Sequence, residues 1–309
     1  MSAERFEFVG SGGKMLPAVI WQPRQTRAVL QIAHGMTEHM GRYEAFAAEL
    51  NAQGIAVAGF DLRGHGENAG DREVASLGMG GWWASVEDMQ LFQFHLQEMF
   101  PSVPHVLLGF SLGSFLLRDY LNTYSTENLA GAVIMGTGHQ PGWLLTIIME
   151  LVAGQIKKVG YDETSDLVKQ LSFGTYNKKF KPNRTEADWL CANTDALDAY
   201  LADPLVRKNI SAGLFWELLG SMKRRSGKTE YDRWDKKLPI LLLSGGDDPV
   251  GDGGKGVAAI HQQMQKSGLT DVAMKLIPGA RHDLLHEKTE ISAEAMKCLT
   301  DWLEARFAK

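Results

Sequence analysis

The sequence predicts an α/β fold with a mostly parallel, eight-stranded sheet, helices on both faces of the sheet, and a helical insertion. Two observations lead to this prediction. Apolar runs of strand length alternate with segments of helical spacing along most of the chain, and this alternation stops between residues 137 and 235. Strands that alternate with helices are typical of a parallel sheet covered on both sides.

Eight apolar runs are the predicted strands. The first two flank the turn-forming residues 11–13 (Ser-Gly-Gly) and are expected to form a hairpin. The later runs are mostly aliphatic and β-branched without polar alternation, which is typical of strands buried on both faces. The predicted strands are residues 5–9, 15–21, 28–33, 54–60, 103–110, 130–136, 238–244 and 272–277.

Helical spacing is clear in three segments of the alternating part. In residues 43–50, apolar side chains recur at the i, i+3, i+4 and i+7 positions of one helix face, and Gly54 follows as a stop signal. Residues 86–100 carry a second apolar pattern, which Pro101 ends. Residues 291–307 are predicted to close the chain as an amphipathic helix.

Residues 137–235, called the insertion below, have no convincing strand pattern. We predict that residues 1–136 and 236–309 form the core and that the insertion is a helical cap over one end of the sheet. Clefts at such junctions are common ligand sites. The helical stretches predicted within the insertion are residues 143–158, 186–201 and 212–225.

The composition excludes several classes of protein. Among the 309 residues, 44% are hydrophobic and 22% are charged, so the chain can bury a core and is not mainly disordered. The 32 basic and 37 acidic residues give a net charge of −5 without a basic run, which argues against a nucleic-acid partner.

The same features predict a cytoplasmic protein. The two cysteines are too few for a disulfide scaffold and fit a reducing compartment. Residues 1–10 lack the apolar segment of a signal peptide, and the longest apolar stretch, residues 143–153, is too short to span a bilayer. We therefore expect no transmembrane segment, while contact with a membrane surface stays open.

Residues 109–113, Gly-Phe-Ser-Leu-Gly, form the central motif. They follow a predicted strand and precede a helical pattern, the context in which G-x-S-x-G makes a nucleophile elbow. Small residues two places before and after the serine let the chain turn sharply and expose its oxygen. Ser111 is therefore the candidate nucleophile.

An activated serine needs a base, and in this type of fold the chain order is serine, acid, histidine. Asp248 follows the predicted strand 238–244, and His282 follows the strand 272–277. We assign Asp248 as the group that orients the imidazole and His282 as general base and then acid. Asp247 competes with Asp248, and His286 competes with His282.

Acyl transfer also needs hydrogen-bond donors for the developing oxyanion. The backbone N–H of Leu112, directly after the nucleophile, is one candidate, and that of Met36, in the loop after the third strand, is the other. Gly35 permits a tight turn there. His34 could serve at the substrate site, but a hydrogen bond that stabilises the loop is favoured over proton transfer.

Several segments together resemble the α/β-hydrolase superfamily over nearly the whole chain, and within it the monoacylglycerol lipase and bacterial lysophospholipase group, also labelled serine aminopeptidase-like. The resemblance implies the α/β-hydrolase fold, a Ser111–Asp248–His282 triad, oxyanion amides at Met36 and Leu112, and a cap that shapes an acyl-binding cleft. The segments that carry it are residues 34–43 (H-G-M-T-E-H-M-G-R-Y), 61–66, 109–113, 203–205, 248–251 and 279–282.

We expect a serine hydrolase that cleaves carboxylic esters through an acyl-enzyme, with monoacylglycerol or lysophospholipid as the leading substrate class. The alternatives are an aminopeptidase-like amide hydrolase, which needs an acidic site for the substrate amine such as Glu38 or Glu150, and a binding protein without turnover. No metal or cofactor is expected. The apolar residues Trp143, Leu144 and Ile147 are candidates to line the cleft or to contact lipid.

Overall fold

A computed structural model describes residues 2–227 and 231–307. Its strands are β1 (Ser2–Val9), β2 (Met15–Gln22), β3 (Ala28–Ala33), β4 (Ile55–Phe60), β5 (Val74–Ala75), β6 (His105–Phe110), β7 (Leu129–Met135), β8 (Asn209–Ile210), β9 (Ile240–Gly245) and β10 (Val272–Ile277). Its α-helices are α1 (Glu44–Asn51), α2 (Gly81–Met99), α3 (Leu112–Thr123), α4 (Gly142–Val159), α5 (Asp166–Ser172), α6 (Thr194–Ala202), α7 (Ala212–Arg224), α8 (Lys255–Lys266) and α9 (Thr289–Phe307).

The main sheet has eight strands in the order β1-β2-β4-β3-β6-β7-β9-β10. The β1–β2 and β2–β4 pairs are antiparallel, and the remaining pairs are parallel. The predicted α/β fold with a mostly parallel, eight-stranded sheet is therefore confirmed. The two-residue strands β5 and β8 pair separately from this sheet.

Burial explains why the central strands read as continuous apolar runs. Every residue of β3, β4, β6 and β9 is buried. Successive side chains of a strand point to opposite faces of the sheet, so Val29 belongs to one hydrophobic cluster and Leu30 to the other. Because both faces are covered, neither face needs polar residues.

The structure of the insertion differs from the sequence-based prediction in three places. The helix predicted at 186–201 begins only at Thr194, because the chain first turns at Asp188, whose carboxylate accepts the Thr185 N–H at 3.0 Å, and Asn193 then caps the helix. The short helix α5 was missed. Strand β8 also lies inside the insertion, and two residues are too few to produce a strand pattern.

The insertion packs on the core through one shared hydrophobic cluster. Leu145 of α4 and Phe215 of α7 belong to the same cluster as Phe115 of α3. A buried ion pair between Arg225 and Asp119 adds a polar link. That the insertion forms a separate cap domain stays a prediction.

In the part of the chain that the structure describes, no helix has the length and apolar character needed to cross a bilayer.

Candidate active site

Ser111 lies at the sharp turn between β6 and α3. Its φ of 49° is in the left-handed region, which side-chain-bearing residues rarely adopt. A Cβ at Gly113 would collide with the carbonyl oxygen of Ala33, and one at Gly109 would collide with that of Gly113. The two glycines are therefore required by the close approach of backbone, and the turn presents the Ser111 oxygen at the start of α3.

The structure brings together the three side chains that the sequence singled out. His282 Nε2 lies 2.8 Å from Ser111 Oγ. His282 Nδ1 lies 3.0 Å from both carboxylate oxygens of Asp248. His282 and Asp248 are fully buried, so the hydrogen bond between them is shielded from water.

The structure also distinguishes the two neighbouring acids. Asp248 is held by hydrogen bonds from the Val250 N–H at 2.8 Å and the Ser244 hydroxyl at 3.2 Å. Asp247 instead forms an exposed ion pair with Lys179 at 2.7 Å. Asp248 therefore faces the imidazole, and Asp247 faces away from it.

His286, the competing histidine, belongs to a different cluster. Its Nδ1 lies 2.9 Å from Asp283 Oδ1, and its Nε2 lies 3.1 Å from the carbonyl oxygen of Arg42. Burial alone would raise the pKa of Asp283, but the nearby charges of His286 and Arg42 hold it well below its usual range. His286 is thus engaged in an ion-pair cluster and not with Ser111.

The two candidate oxyanion amides lie at the same cavity as Ser111. In residues 2–227 and 231–307, neither the Met36 N–H nor the Leu112 N–H has a protein hydrogen-bond acceptor, so both are available to a ligand. The turn that carries Met36 is held by Glu38, whose carboxylate accepts the Gly35 N–H at 2.6 Å and the Tyr43 hydroxyl at 2.7 Å.

His34 is not at the substrate site. It is fully buried, its Nε2 accepts the Leu62 N–H at 2.9 Å, and its Nδ1 donates to the Gly35 carbonyl at 2.8 Å. Burial lowers its pKa to about 4, so the ring is neutral at physiological pH. His34 therefore does not line the cavity, and the hydrogen bond that stabilises the loop is present.

A cavity of about 440 Å³ opens in front of Ser111. Its wall combines core loops with residues of the insertion. Most of the wall is apolar, which suits a hydrocarbon chain. Apolar and aromatic residues of the wall include Met36, Phe110, Leu112, Phe115, Phe173, Tyr176, Trp189, Leu190, Leu201, Val206, Ile210, Phe215 and Leu218.

Trp143, Leu144 and Ile147 are not among the described residues that line this cavity. Trp143 is 68% exposed and Ile147 is 53% exposed, on the outer side of α4. Leu145, the buried residue of this turn, faces the core instead. Of the two roles expected for these residues, the structure does not show the first, because a helix that packs by one face points the neighbouring positions outward.

Two aromatic side chains beside His282 were missed in the sequence. The rings of Phe110 and Trp189 each lie 5.0 Å from the imidazole, centroid to centroid. Phe110 adjoins Ser111 in the elbow motif, which could have indicated its position. Trp189 lies 93 positions before the histidine, and no local pattern distinguishes it from the other tryptophans of the insertion.

This arrangement can activate a hydroxyl. A serine oxygen within hydrogen-bond distance of a neutral imidazole, which a carboxylate orients, can lose its proton as it attacks an acyl carbon. The start of α3 and the amides of Met36 and Leu112 lie at the same cavity as Ser111, and hydrogen-bond donors at such a site can stabilise an oxyanion.

Comparisons with known proteins identify the family of the chain. Residues 24–289 match the family described as Serine aminopeptidase, S33 (Hydrolase_4). Monoglyceride lipase of Mus musculus is 27% identical over 305 residues, covering 97% of this chain and 90% of the relative. Monoacylglycerol lipase of Mycolicibacterium smegmatis is 26% identical over 286 residues, covering 91% of this chain and 90% of the relative.

A solved structure supports the fold. A thermostable carboxyl esterase from Bacillus coagulans, in complex with glycerol, superposes with a TM-score of 0.87 at 24% identity and covers 99% of both chains. Likeness at this identity concerns the fold, and the match to the family covers most of the sequence. The chain therefore belongs to the serine aminopeptidase S33 family (Hydrolase_4) of the α/β-hydrolases.

Proposed function

We propose that this protein is a serine hydrolase that cleaves carboxylic esters of monoacylglycerol or lysophospholipid type through an acyl-enzyme. The observation that carries the proposal is the 2.8 Å contact between Ser111 Oγ and His282 Nε2 at the wall of an apolar cavity. The names of the relatives, monoglyceride and monoacylglycerol lipases, support the substrate class.

The proposed reaction has two halves. Ser111 Oγ attacks the ester carbonyl while His282 Nε2 takes its proton, and the N–H groups of Met36 and Leu112 stabilise the oxyanion. The tetrahedral intermediate then collapses, and His282 returns the proton to the departing alcohol. In the second half, water loses a proton to His282 as it attacks the acyl-enzyme. The second tetrahedral intermediate then collapses to release the acid, and His282 returns the proton to Ser111 Oγ.

The acyl chain of the substrate is proposed to lie along the apolar wall that the insertion contributes. Phe173, Phe215 and Leu218 offer carbon surface and no charge to a ligand in this cavity. Burying hydrocarbon contributes about 0.8 kcal/mol per methylene group, so esters of longer acyl chains are expected to have lower KM values until the cavity is filled.

An amide hydrolase that releases N-terminal residues is the second candidate, since the family is described as serine aminopeptidases. Such an enzyme needs an acid that can hold the substrate amine. Of the two acids considered for this role, Glu38 lies at the cavity but is paired with Arg42 and Tyr43, and Glu150 is exposed on α4 outside the cavity wall. Glu38 and Glu150 therefore do not supply a free acid at the cavity, whereas Asp166 and Glu186 also line it, so the substrate screen below decides between the two candidates.

The outer side of α4 is proposed to contact lipid surfaces. Trp143, Ile147 and Leu151 follow one another at four-residue spacing, so they form one stripe, and they are 68%, 53% and 48% exposed. Exposed apolar patches of this kind often mark membrane interaction sites. Such contact would bring the enzyme to substrates held in a bilayer. The cytoplasmic location stays a prediction based on the cysteine content.

A substrate screen tests the proposal. Purified protein is assayed on 1-monoacylglycerols and lysophosphatidylcholines of graded chain length, on p-nitrophenyl esters, and on aminoacyl p-nitroanilides, with Ser111→Ala as the blank. We expect ester turnover that exceeds anilide turnover. Preferential anilide cleavage would instead support the peptidase, and the absence of both turnover and phosphonate labelling would support a binding protein without catalysis.

A further inference from the structure

Trp189 connects the insertion to His282. It lies in the turn that precedes α6, it is 8% exposed, and its ring is tilted by 36° to the imidazole at a centroid distance of 5.0 Å. The separation is within the distance at which an aromatic face attracts a cation. No other ring of the insertion in the described residues contacts His282.

The backbone around Trp189 is fastened to the loop that carries His282. The carbonyl oxygen of Trp189 accepts the His282 N–H at 3.4 Å, and that of Leu190 accepts the Asp283 N–H at 2.7 Å. The guanidinium of Arg281 donates to the carbonyl oxygens of Asp188 and Cys191. The two segments therefore hold each other along several consecutive residues.

A buried carboxylate makes a further link between these two segments. Glu287 accepts the Arg281 N–H at 2.9 Å with one oxygen and the Ala192 N–H at 3.0 Å with the other. It thereby bridges the loop of His282 and the segment that follows Trp189, and it is 2% exposed. Because buried charge-assisted hydrogen bonds are strong and directional, the segment has little freedom to move relative to the histidine.

Two further aromatic rings contact the ring of Trp189. Phe173 stacks on it at 5.7 Å, and Tyr176 packs against it at 4.9 Å. Both residues line the cavity. The indole therefore lies between the aromatic wall of the cavity and the imidazole. A movement of the indole would disturb its contact with the wall or its contact with the imidazole.

We infer that Trp189 is a positioning residue for His282, an inference that rests on the proposed function. Its ring limits the rotation of the imidazole and keeps Nε2 directed at Ser111. The ring also offers an aromatic face to the imidazolium that forms when the serine proton is transferred. Both effects act on the chemical steps more than on substrate binding, so they affect kcat and leave KM nearly unchanged.

Trp189→Leu and Trp189→Phe test this role, because both keep an apolar side chain and only phenylalanine keeps an aromatic face. The substrate is p-nitrophenyl acetate, whose acyl group is too short to depend on the apolar wall. We expect kcat to fall about tenfold in Trp189→Leu with KM within about twofold, and to stay within about threefold in Trp189→Phe. Trp83→Leu, at a 46% exposed tryptophan of α2, is the matched control and should behave as wild type.

The outcomes separate this inference from the proposed function. If the wild type hydrolyses no ester and Ser111 takes up no phosphonate, the proposed function fails. If the wild type is active, equal losses of kcat in the Leu and Phe variants, or a rise of KM at constant kcat, would overturn the positioning role. Trp189→Met replaces Trp189→Leu if circular dichroism shows that the latter is unfolded, and the same comparison with Trp189→Phe then applies.

Discussion

Ser111 Oγ and His282 Nε2 lie 2.8 Å apart although 171 positions separate the two residues in the sequence. Ser111 follows β6 and His282 follows β10, and both strands belong to the same sheet, with β7 and β9 between them. In parallel sheets the carboxyl ends of the strands meet at one edge, which is where such folds assemble their sites. The contact is a consequence of strand order.

Ser111→Ala should abolish covalent labelling by an active-site phosphonate, since no other hydroxyl contacts His282 in the described residues. The melting temperature should stay within a few degrees, because the change removes one oxygen at a partly exposed position. Labelling is followed by intact-protein mass spectrometry. Ser125→Ala, at an exposed serine, should label like the wild type; persistent labelling of Ser111→Ala would show that another residue is the nucleophile.

Asp248→Asn should lower kcat by about 10⁴-fold, because the amide favours the wrong tautomer of His282. Asp247→Asn is the matched control one position away and should retain activity within about twofold, since Asp247 pairs with Lys179 at the surface. Steady-state rates on a soluble ester check both. The reverse pattern would assign the orienting role to Asp247.

Acid should destabilise the protein through two buried histidines. Burial lowers the pKa of His34 to about 4 and that of His65 to about 3. In the unfolded chain both side chains are exposed to water, and the pKa of each is near 6.5. Each therefore contributes stability that is fully present above pH 6.5 and is lost as the pH falls toward the folded pKa. At pH 5 the expected loss is of order 2 kcal/mol per histidine.

Urea unfolding at pH 7.5 and pH 5.0 measures this loss. His65→Asn should lower stability at pH 7.5, but the difference between the two pH values should be smaller than in the wild type, because one titrating group is removed. His261→Asn, at a partly exposed histidine of α8, is the control and should keep the wild-type difference. An unchanged difference in His65→Asn would refute the assignment.

The two free cysteines should differ in reactivity. Cys191 is buried, and burial raises its pKa to about 12, whereas Cys298 is partly exposed. Because the thiolate is the reactive form, a disulfide reagent at pH 8 should modify Cys298 first and Cys191 at least tenfold more slowly. The Cys298→Ser variant isolates Cys191, and denaturant should release its full reaction. Fast modification of native Cys191 would contradict its burial.

Trp143→Ser should weaken binding to phosphatidylcholine vesicles by severalfold, because it removes a large exposed ring from the apolar stripe of α4. Co-sedimentation with sucrose-loaded vesicles gives the partition coefficient. Trp83→Ser removes an exposed tryptophan from α2 and should leave partitioning unchanged. Equal losses in the two variants would show that the stripe has no special role.

Local patterns in the sequence determined much of the fold. Strand runs are recognisable because a strand covered on both faces contains few polar residues, and the elbow is recognisable because its two glycines meet backbone atoms directly. These requirements act within a few residues of the chain. They sufficed to predict the sheet and to single out Ser111, Asp248 and His282 as candidates.

Only the tertiary structure decided which of several similar side chains contact the active site. Asp247 and Asp248 look alike in the sequence, but the turn after β9 directs one to Lys179 and the other to His282. The helix α4 is apolar on more than one side, and its packing turned Trp143 outward. The contact of Trp189 with His282 depends on how the insertion folds back across the core, and such a long-range contact leaves no periodic mark in the sequence.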